Sequence, residues 1–180
     1  GEFDRFEDGG SFSRSGWIHG AAEIDFNNDG MPDVYLTNGY ISKETARDYE
    51  ERFWRHDLYD SESESKVDIA RHIATDGPGR FIKENNQSWA PFQKNQLWAN
   101  FGEDGFVDIA YLMGASRELD GRATVAVDLN QDGKPDLISL EIDLVEHELN
   151  VKILENTMVR VGNWIGVQLK PAKKRSTAGA

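Results

Sequence analysis

The sequence predicts a mainly β chain carrying a helical insertion, and three observations predict it. Short β-rich runs alternate with Gly, Asn and Asp turns in both the first quarter and the second half of the chain. One acidic turn, Asp25-Phe26-Asn27-Asn28-Asp29-Gly30-Met31-Pro32-Asp33, is spelt again as Asp128-Leu129-Asn130-Gln131-Asp132-Gly133-Lys134-Pro135-Asp136, with apolar runs on both sides of each copy. Between the copies, residues 42–76 change to a helical period.

Taken in order, residues 1–16 are rich in Gly, Ser, Asp and Phe without a period, and read as a loop. Trp17 to Ile24 reads as a strand in which Gly20, Ala21 and Ala22 permit close backbone packing. Val34-Tyr35-Leu36-Thr37 is a second strand, stopped by the Asn38-Gly39 turn signal. Ala46, Tyr49 and Phe53, with Trp54 and Leu58 one step round, suit a helix. Ser61 and Glu64 stand at capping-box spacing before a second helical face of Val67, Ala70, Ile73 and Ala74, which Asp76-Gly77-Pro78-Gly79 ends. The β pattern then returns: Gln96 to Asn100, a turn over Phe101–Gly105, and Phe106 to Ile109. Asp120-Gly121-Arg122 reads as a turn before the strand Ala123–Val127, and Leu137–Leu140 leaves the second acidic loop. Leu149–Glu155 and Trp164–Leu169 are further strand candidates.

The two acidic turns have the spacing of calcium loops. Calcium takes six to eight oxygens at about 2.3–2.6 Å. A sharply turning chain supplies them from alternate residues: Asp25, Asn27 and Asp29, then the Met31 carbonyl, then Asp33 from the start of the next strand. The second set is Asp128, Asn130, Asp132, the Lys134 carbonyl and Asp136. Two Ca²⁺ ions are therefore expected. Without them, carboxylates held about 4 Å apart repel by roughly 1–4 kcal/mol per pair. An EF-hand needs a bidentate Glu at loop position 12 and helices on both sides; here that position holds Leu36 and Ser139, between strands. Superposing Asp25 on Asp128 also brings Ala22 onto Val125, Ile24 onto Val127, Pro32 onto Pro135 and Val34 onto Leu137, the mark of an internal repeat with a large insertion.

With their strands, these loops resemble FG-GAP/VCBS repeats, the blade units of integrin-α-like β-propellers. Asn95-Gln96-Leu97-Trp98-Ala99-Asn100-Phe101-Gly102-Glu103-Asp104-Gly105-Phe106-Val107-Asp108 is similar to a stretch of the CRTAC-like group, as are Asn38-Gly39-Tyr40 and Gly121-Arg122-Ala123. Gly162-Asn163-Trp164-Ile165-Gly166-Val167-Gln168-Leu169 resembles the opening of an ASPIC/UnbV domain. The resemblance implies a partial propeller of about two or three blades: a first repeat over 1–41, the insertion over 42–79, a second repeat over 80–161 and a shortened ASPIC/UnbV-like segment over 162–180. It also implies an exported or cell-surface protein, periplasmic or secreted if bacterial, with structural Ca²⁺ and a role in adhesion, ligand binding or assembly. An accessory module of a polysaccharide-active or phospholipase-type enzyme is the alternative.

Composition narrows the partners. The 180 residues carry a formal charge of −12, which argues against a nucleic-acid partner, since phosphate binding needs a basic surface. The chain has no cysteine, so thiolate sites and disulfides are excluded. No run reaches the roughly 20 apolar residues of a membrane span. The start at Gly1-Glu2-Phe3 reads as that of an excised segment. His19, His56, His72 and His147 share no ligand spacing, and no Gly-x-Ser-x-Gly, P-loop or dinucleotide motif is present, so no catalytic residue is assigned. The five tryptophans read as packing residues, and Lys170, Lys173, Lys174 and Arg175 as a solvated basic run. A protein or glycan ligand is the partner class left.

Overall fold

The computed structural model describes residues 15–46, 88–146 and 148–167. The helical insertion beyond Ala46, with His56 and His72, lies outside these residues, as do Gly1–Arg14 and the basic run after Leu169; Ser42–Ala46 are not helical. The chain is mainly β, in two antiparallel sheets. The first has the order β1 (Ile18–Ile24), β2 (Asp33–Asn38), β3 (Gln96–Asn100), β4 (Phe106–Asp108), and the second β5 (Asp120–Val127), β6 (Asp136–Asp143), β7 (Glu148–Leu154). A 3-10 turn over Gly102–Asp104 joins β3 to β4. Among the described residues no helix is long and apolar enough to cross a membrane.

The hairpins β1–β2 and β5–β6 match residue by residue. Gly20 faces Thr37, Ala22 faces Tyr35 and Ile24 faces Asp33; 103 residues later Ala123 faces Leu140, Val125 faces Ile138 and Val127 faces Asp136. Even the bulge recurs, between Ile18 and Gly20 in one and between Gly121 and Ala123 in the other. That bulge overturns one sequence expectation. Asp120-Gly121-Arg122 is not a turn but the first part of β5, with Asp120 opposite Ile142 and Gly121 opposite Glu141. The extra residue lets the strand continue where its Gly and Asp content predicts a break. Asp120 is fully buried, its carboxylate accepting hydrogen bonds from the Ser42 amide (2.8 Å) and hydroxyl (2.6 Å).

The two sheets pack face to face. Ile24, Tyr35, Leu97 and Ala99 from the first sheet meet Leu137 from the second in one apolar core, joined by Phe26, Ala110 and Ala115. Small residues let the backbones close: a Cβ on Gly20 would lie 2.9 Å from the Ala123 Cα, and one on Gly121 would lie 2.5 Å from the Thr37 Cβ. Neither obstacle is a flexible side-chain end, so the sheets would have to separate. Gly121→Ala is therefore expected to cost about 1–3 kcal/mol, read as a lower urea midpoint at unchanged slope; an unchanged midpoint would refute this packing.

A polar network sits beside that core. The Tyr35 hydroxyl donates to the Ala115 carbonyl (3.1 Å) and accepts from Asn95 Nδ2 (3.1 Å). Asn95 Oδ1 accepts from the Asn38 amide (2.9 Å). Burial pushes the Tyr35 phenol up to about 12. Next to it the buried Glu141 carboxylate takes the Arg117 Nε–H on both oxygens, at 2.7 and 2.9 Å.

Candidate functional site: the paired acidic loops

Each acidic loop connects the two strands of its hairpin at the same end. Asp25 follows β1, and the chain turns back to β2 at Asp33. The turn needs two left-handed residues, Asn28 (φ 54°) and Gly30 (φ 84°), and the second loop repeats them at Gln131 (φ 61°) and Gly133 (φ 84°). No atom stands within 4 Å of a Cβ on Gly30, so glycine is required there by backbone conformation and not by space.

The side-chain oxygens point into the turn. Asp25 accepts from the Asp29 amide on Oδ1 (3.0 Å) and from the Gly30 amide on Oδ2 (2.9 Å). Asn27 Oδ1 accepts from the Asp29 amide (3.1 Å), and Asp29 Oδ1 from the Met31 amide (2.7 Å). Asp33 lies under the loop, accepting from the Phe26 amide on Oδ2 (3.2 Å). The second loop makes the same bonds. Asp128 takes the Asp132 and Gly133 amides at 3.1 and 2.9 Å, and Asn130 Oδ1 takes the Asp132 amide at 3.0 Å. Asp132 Oδ1 takes the Lys134 amide at 3.0 Å, and Asp136 Oδ2 takes the Leu129 amide at 3.0 Å.

Sequence reasoning assigned no role to Asn100 and Asn156, which complete the two frames. The Asn100 amide donates to Asp33 Oδ1 at 2.8 Å, and its Nδ2 to the Pro32 carbonyl. The Asn156 amide donates to Asp136 Oδ1 at 2.8 Å, and its Nδ2 to the Pro135 carbonyl. Each Asn Oδ1 then caps the amide two residues on, at Gly102 and Met158. The signal was an Asn just after an apolar strand. It was obscured because Asn100 stands 67 residues after Asp33 whereas Asn156 stands 20 after Asp136, a difference of 47 residues.

Burial raises the Asp33 carboxyl, with Asp29 and Asp25 adding to the rise, against the lowering effect of the Asn100 and Phe26 amides. Asp132 is held below the usual range by the hydrogen bond from Lys134, whose ammonium lies 2.9 Å from Asp132 Oδ2. Here the loops differ: Met31 stands where Lys134 stands, and the second loop also has Glu155, whose Oε1 accepts from Asn130 Nδ2 (3.1 Å).

The loops also touch each other. Asn28 Nδ2 donates to the Gly133 carbonyl (2.8 Å), and Asn156 Nδ2 to the Phe26 carbonyl (2.7 Å). The Gly162 amide donates to the Asn27 carbonyl (2.7 Å). Trp164, expected to open a strand, is not in one. Its indole lies over Gly133, where a Cβ would fall 1.9 Å from the ring, and Trp164–Val167 form no strand.

Chemically, each loop presents three carboxylates and one amide oxygen, a hard-oxygen set of the kind that holds calcium. The described residues contain no group of three or more His, Cys, Asp or Glu side chains placed to hold a metal ion. Asp33 and Asp136 each spend both oxygens on backbone amides, and Asp29 and Asp132 also accept from Asn27 and Asn130 Nδ2. No family model matches the chain, and neither does any curated protein or solved structure.

Proposed function

We propose that the chain is a calcium-binding segment of a β-propeller of the FG-GAP/VCBS, CRTAC-like kind, serving ligand binding, adhesion or assembly outside the cell rather than catalysis. The observation that carries this reading is the identity of the two loops: the same left-handed positions, the same backbone bonds to Asp, Asn, Asp and Asp, and the same Asn closing each frame. The amide bonds alone would brace the turn; what favours a cation is that both copies gather three carboxylates and an amide oxygen in the same arrangement. In each loop Asp, Asn and Asp side chains with one backbone carbonyl would hold the ion, and the last Asp would tie it to the following strand. The ion would brace the hairpin and do no bond-making.

The propeller reading draws support from the faces of the sheets. The face of the first sheet that carries Gly20, Ala22, Ile24 and Tyr35 is covered by the second sheet. The corresponding face of the second sheet carries Val125 and Val127 in β5 and Leu149, Val151 and Ile153 in β7, and it is open, with Leu149 66% exposed. A stack of like sheets, each seated on the last, would cover it with another sheet of the same kind.

Calorimetry with CaCl₂ on the chelator-treated chain is expected to find two sites of unequal affinity. The inequality follows from Lys134 and Glu155, which the first loop lacks. Asp29→Ala should remove one site and Asp132→Ala the other. No heat of binding, or two sites surviving both substitutions, would remove the basis of the proposal.

A further inference from the structure

Among the described residues the two sheets end in four edge strands, β1, β4, β5 and β7, and three of them are blunted. β1 and β5 each carry a bulge, and β4 has only three residues. Bulges and short strands are the usual guards of a sheet edge. β7 has neither. Its seven residues, Glu148–Leu154, contain no Gly or Pro and pair with β6 in one unbroken register, from Glu148 opposite Asp143 to Leu154 opposite Leu137. No described strand pairs with its other edge. Leu149, Val151 and Ile153 are 66%, 63% and 60% exposed, so the strand lies open.

The repeat shows what belongs on that edge. β3 stands in the first sheet where β7 stands in the second: Leu97 faces Tyr35 as Ile153 faces Ile138, and Asn100 and Asn156 close equivalent frames. β3 carries β4 on its far edge, an antiparallel strand in which Val107 faces Ala99. After β7 the chain does not return in this way. It is drawn to the acidic loops instead, with the Gly162 amide on the Asn27 carbonyl and the Trp164 indole over Gly133. The second sheet thus has a place for a fourth, antiparallel strand that the described residues do not fill.

The order of residues in β7 selects that strand. Glu148-Leu149-Asn150-Val151-Lys152 is complementary to itself read backwards. About a two-fold axis at Asn150, Glu148 stands opposite Lys152 of the second copy, Leu149 opposite Val151, and Asn150 opposite Asn150. Residues directly opposite in an antiparallel pair share a face, so apolar meets apolar and each charge meets its opposite. An axis at Val151 would instead set Glu148 against Leu154 and lose both ion pairs. A lone Lys on an edge opposes pairing, but here each Lys152 has a carboxylate across from it. We propose that β7 pairs antiparallel with β7 of a second copy, joining two three-stranded sheets into one of six strands. The contact is isologous and uses up the open edge of both copies, so it closes at two chains. It does not depend on the calcium reading, because β7 lies outside both loops.

Sedimentation velocity on the full chain at rising concentration is expected to show a monomer–dimer equilibrium with a Kd on the order of 100 µM, weak because one strand edge buries little area. Glu148→Lys and Lys152→Glu should each weaken it about tenfold, since each sets two like-charged pairs across the axis. Net charge alone predicts otherwise: in a chain of charge −12, Glu148→Lys would relieve repulsion between copies and strengthen association. In an equimolar mixture of the two variants every facing pair is again of opposite sign, and dimers should form at about the parent Kd. Neither side chain belongs to the apolar core, so the melting temperature of each dilute variant should stay unchanged. The proposal is overturned if the parent chain stays monomeric to about 1 mM, if either variant associates as well as the parent, or if the mixture does not recover the dimer.

Discussion

Chelation with EDTA is expected to lower the melting temperature of the chain by about 10–20 °C. Each site held at a hundredfold excess of calcium over its Kd contributes about 2.7 kcal/mol, so two contribute about 5. In a chain of this length 1 kcal/mol moves the midpoint by about 2–4 °C. The effect is concentrated at one end of the molecule, because both loops, Asn156 and Gly162 meet there. If the proposed ions are bound, removing them would leave Asp25, Asp29 and Asp33 to repel one another, with Asp33 already raised by its burial. The double variant Asp29→Ala, Asp132→Ala should melt at the chelated temperature and ignore EDTA. A melting curve that EDTA does not move would mean that the loops are held by their amide bonds alone.

The second large effect belongs to Arg117. Replacing it with Met is expected to cost about 3 kcal/mol, because the fully buried Glu141 carboxyl group would be left without its partner. A melting temperature about 6–12 °C lower would report this. Adding Glu141→Gln to Arg117→Met should recover part of the loss, since a neutral amide is cheaper to bury than a lone carboxylate. If the double variant is no better than the single one, the loss lies in Arg117's packing and not in the ion pair. Arg117 also holds the Asn95 amide on its carbonyl (2.8 Å), so backbone and side chain of one residue serve the same buried network.

Much of this was legible in the residues. Strand alternation, the turn signals and the repeated acidic spelling located β1 to β7, and the alignment of Ile24 with Val127 matches the pairing register. What escaped notice depended on contacts distant in sequence. Asp120 reads as a turn residue because its partner, Ser42, stands 78 residues away. Asn100 reads as the end of a strand because the carboxylate it serves is 67 residues back. Trp164 looks like the start of a strand, but its indole lies against Gly133, a residue distant in sequence. Nothing local marks Asn38 as a buried residue: it stands in an Asn-Gly pair, whose usual meaning is a turn.

The bridge between Ile41 and Trp89 has a consequence for how the chain can be altered. Each residue gives its amide to the other's carbonyl at 2.9 Å, while the Ser88 hydroxyl holds the Lys43 amide and the Thr45 carbonyl. This suture pins both ends of the inserted segment at the side of the first hairpin opposite Asp25–Asp33. Loop-closure entropy grows only with the logarithm of loop length, so a short linker across the suture would close the hairpin at little thermodynamic cost. The two anchor points thus fix where the connection between β2 and β3 leaves and rejoins the described sheet, at the end away from Asp25–Asp33.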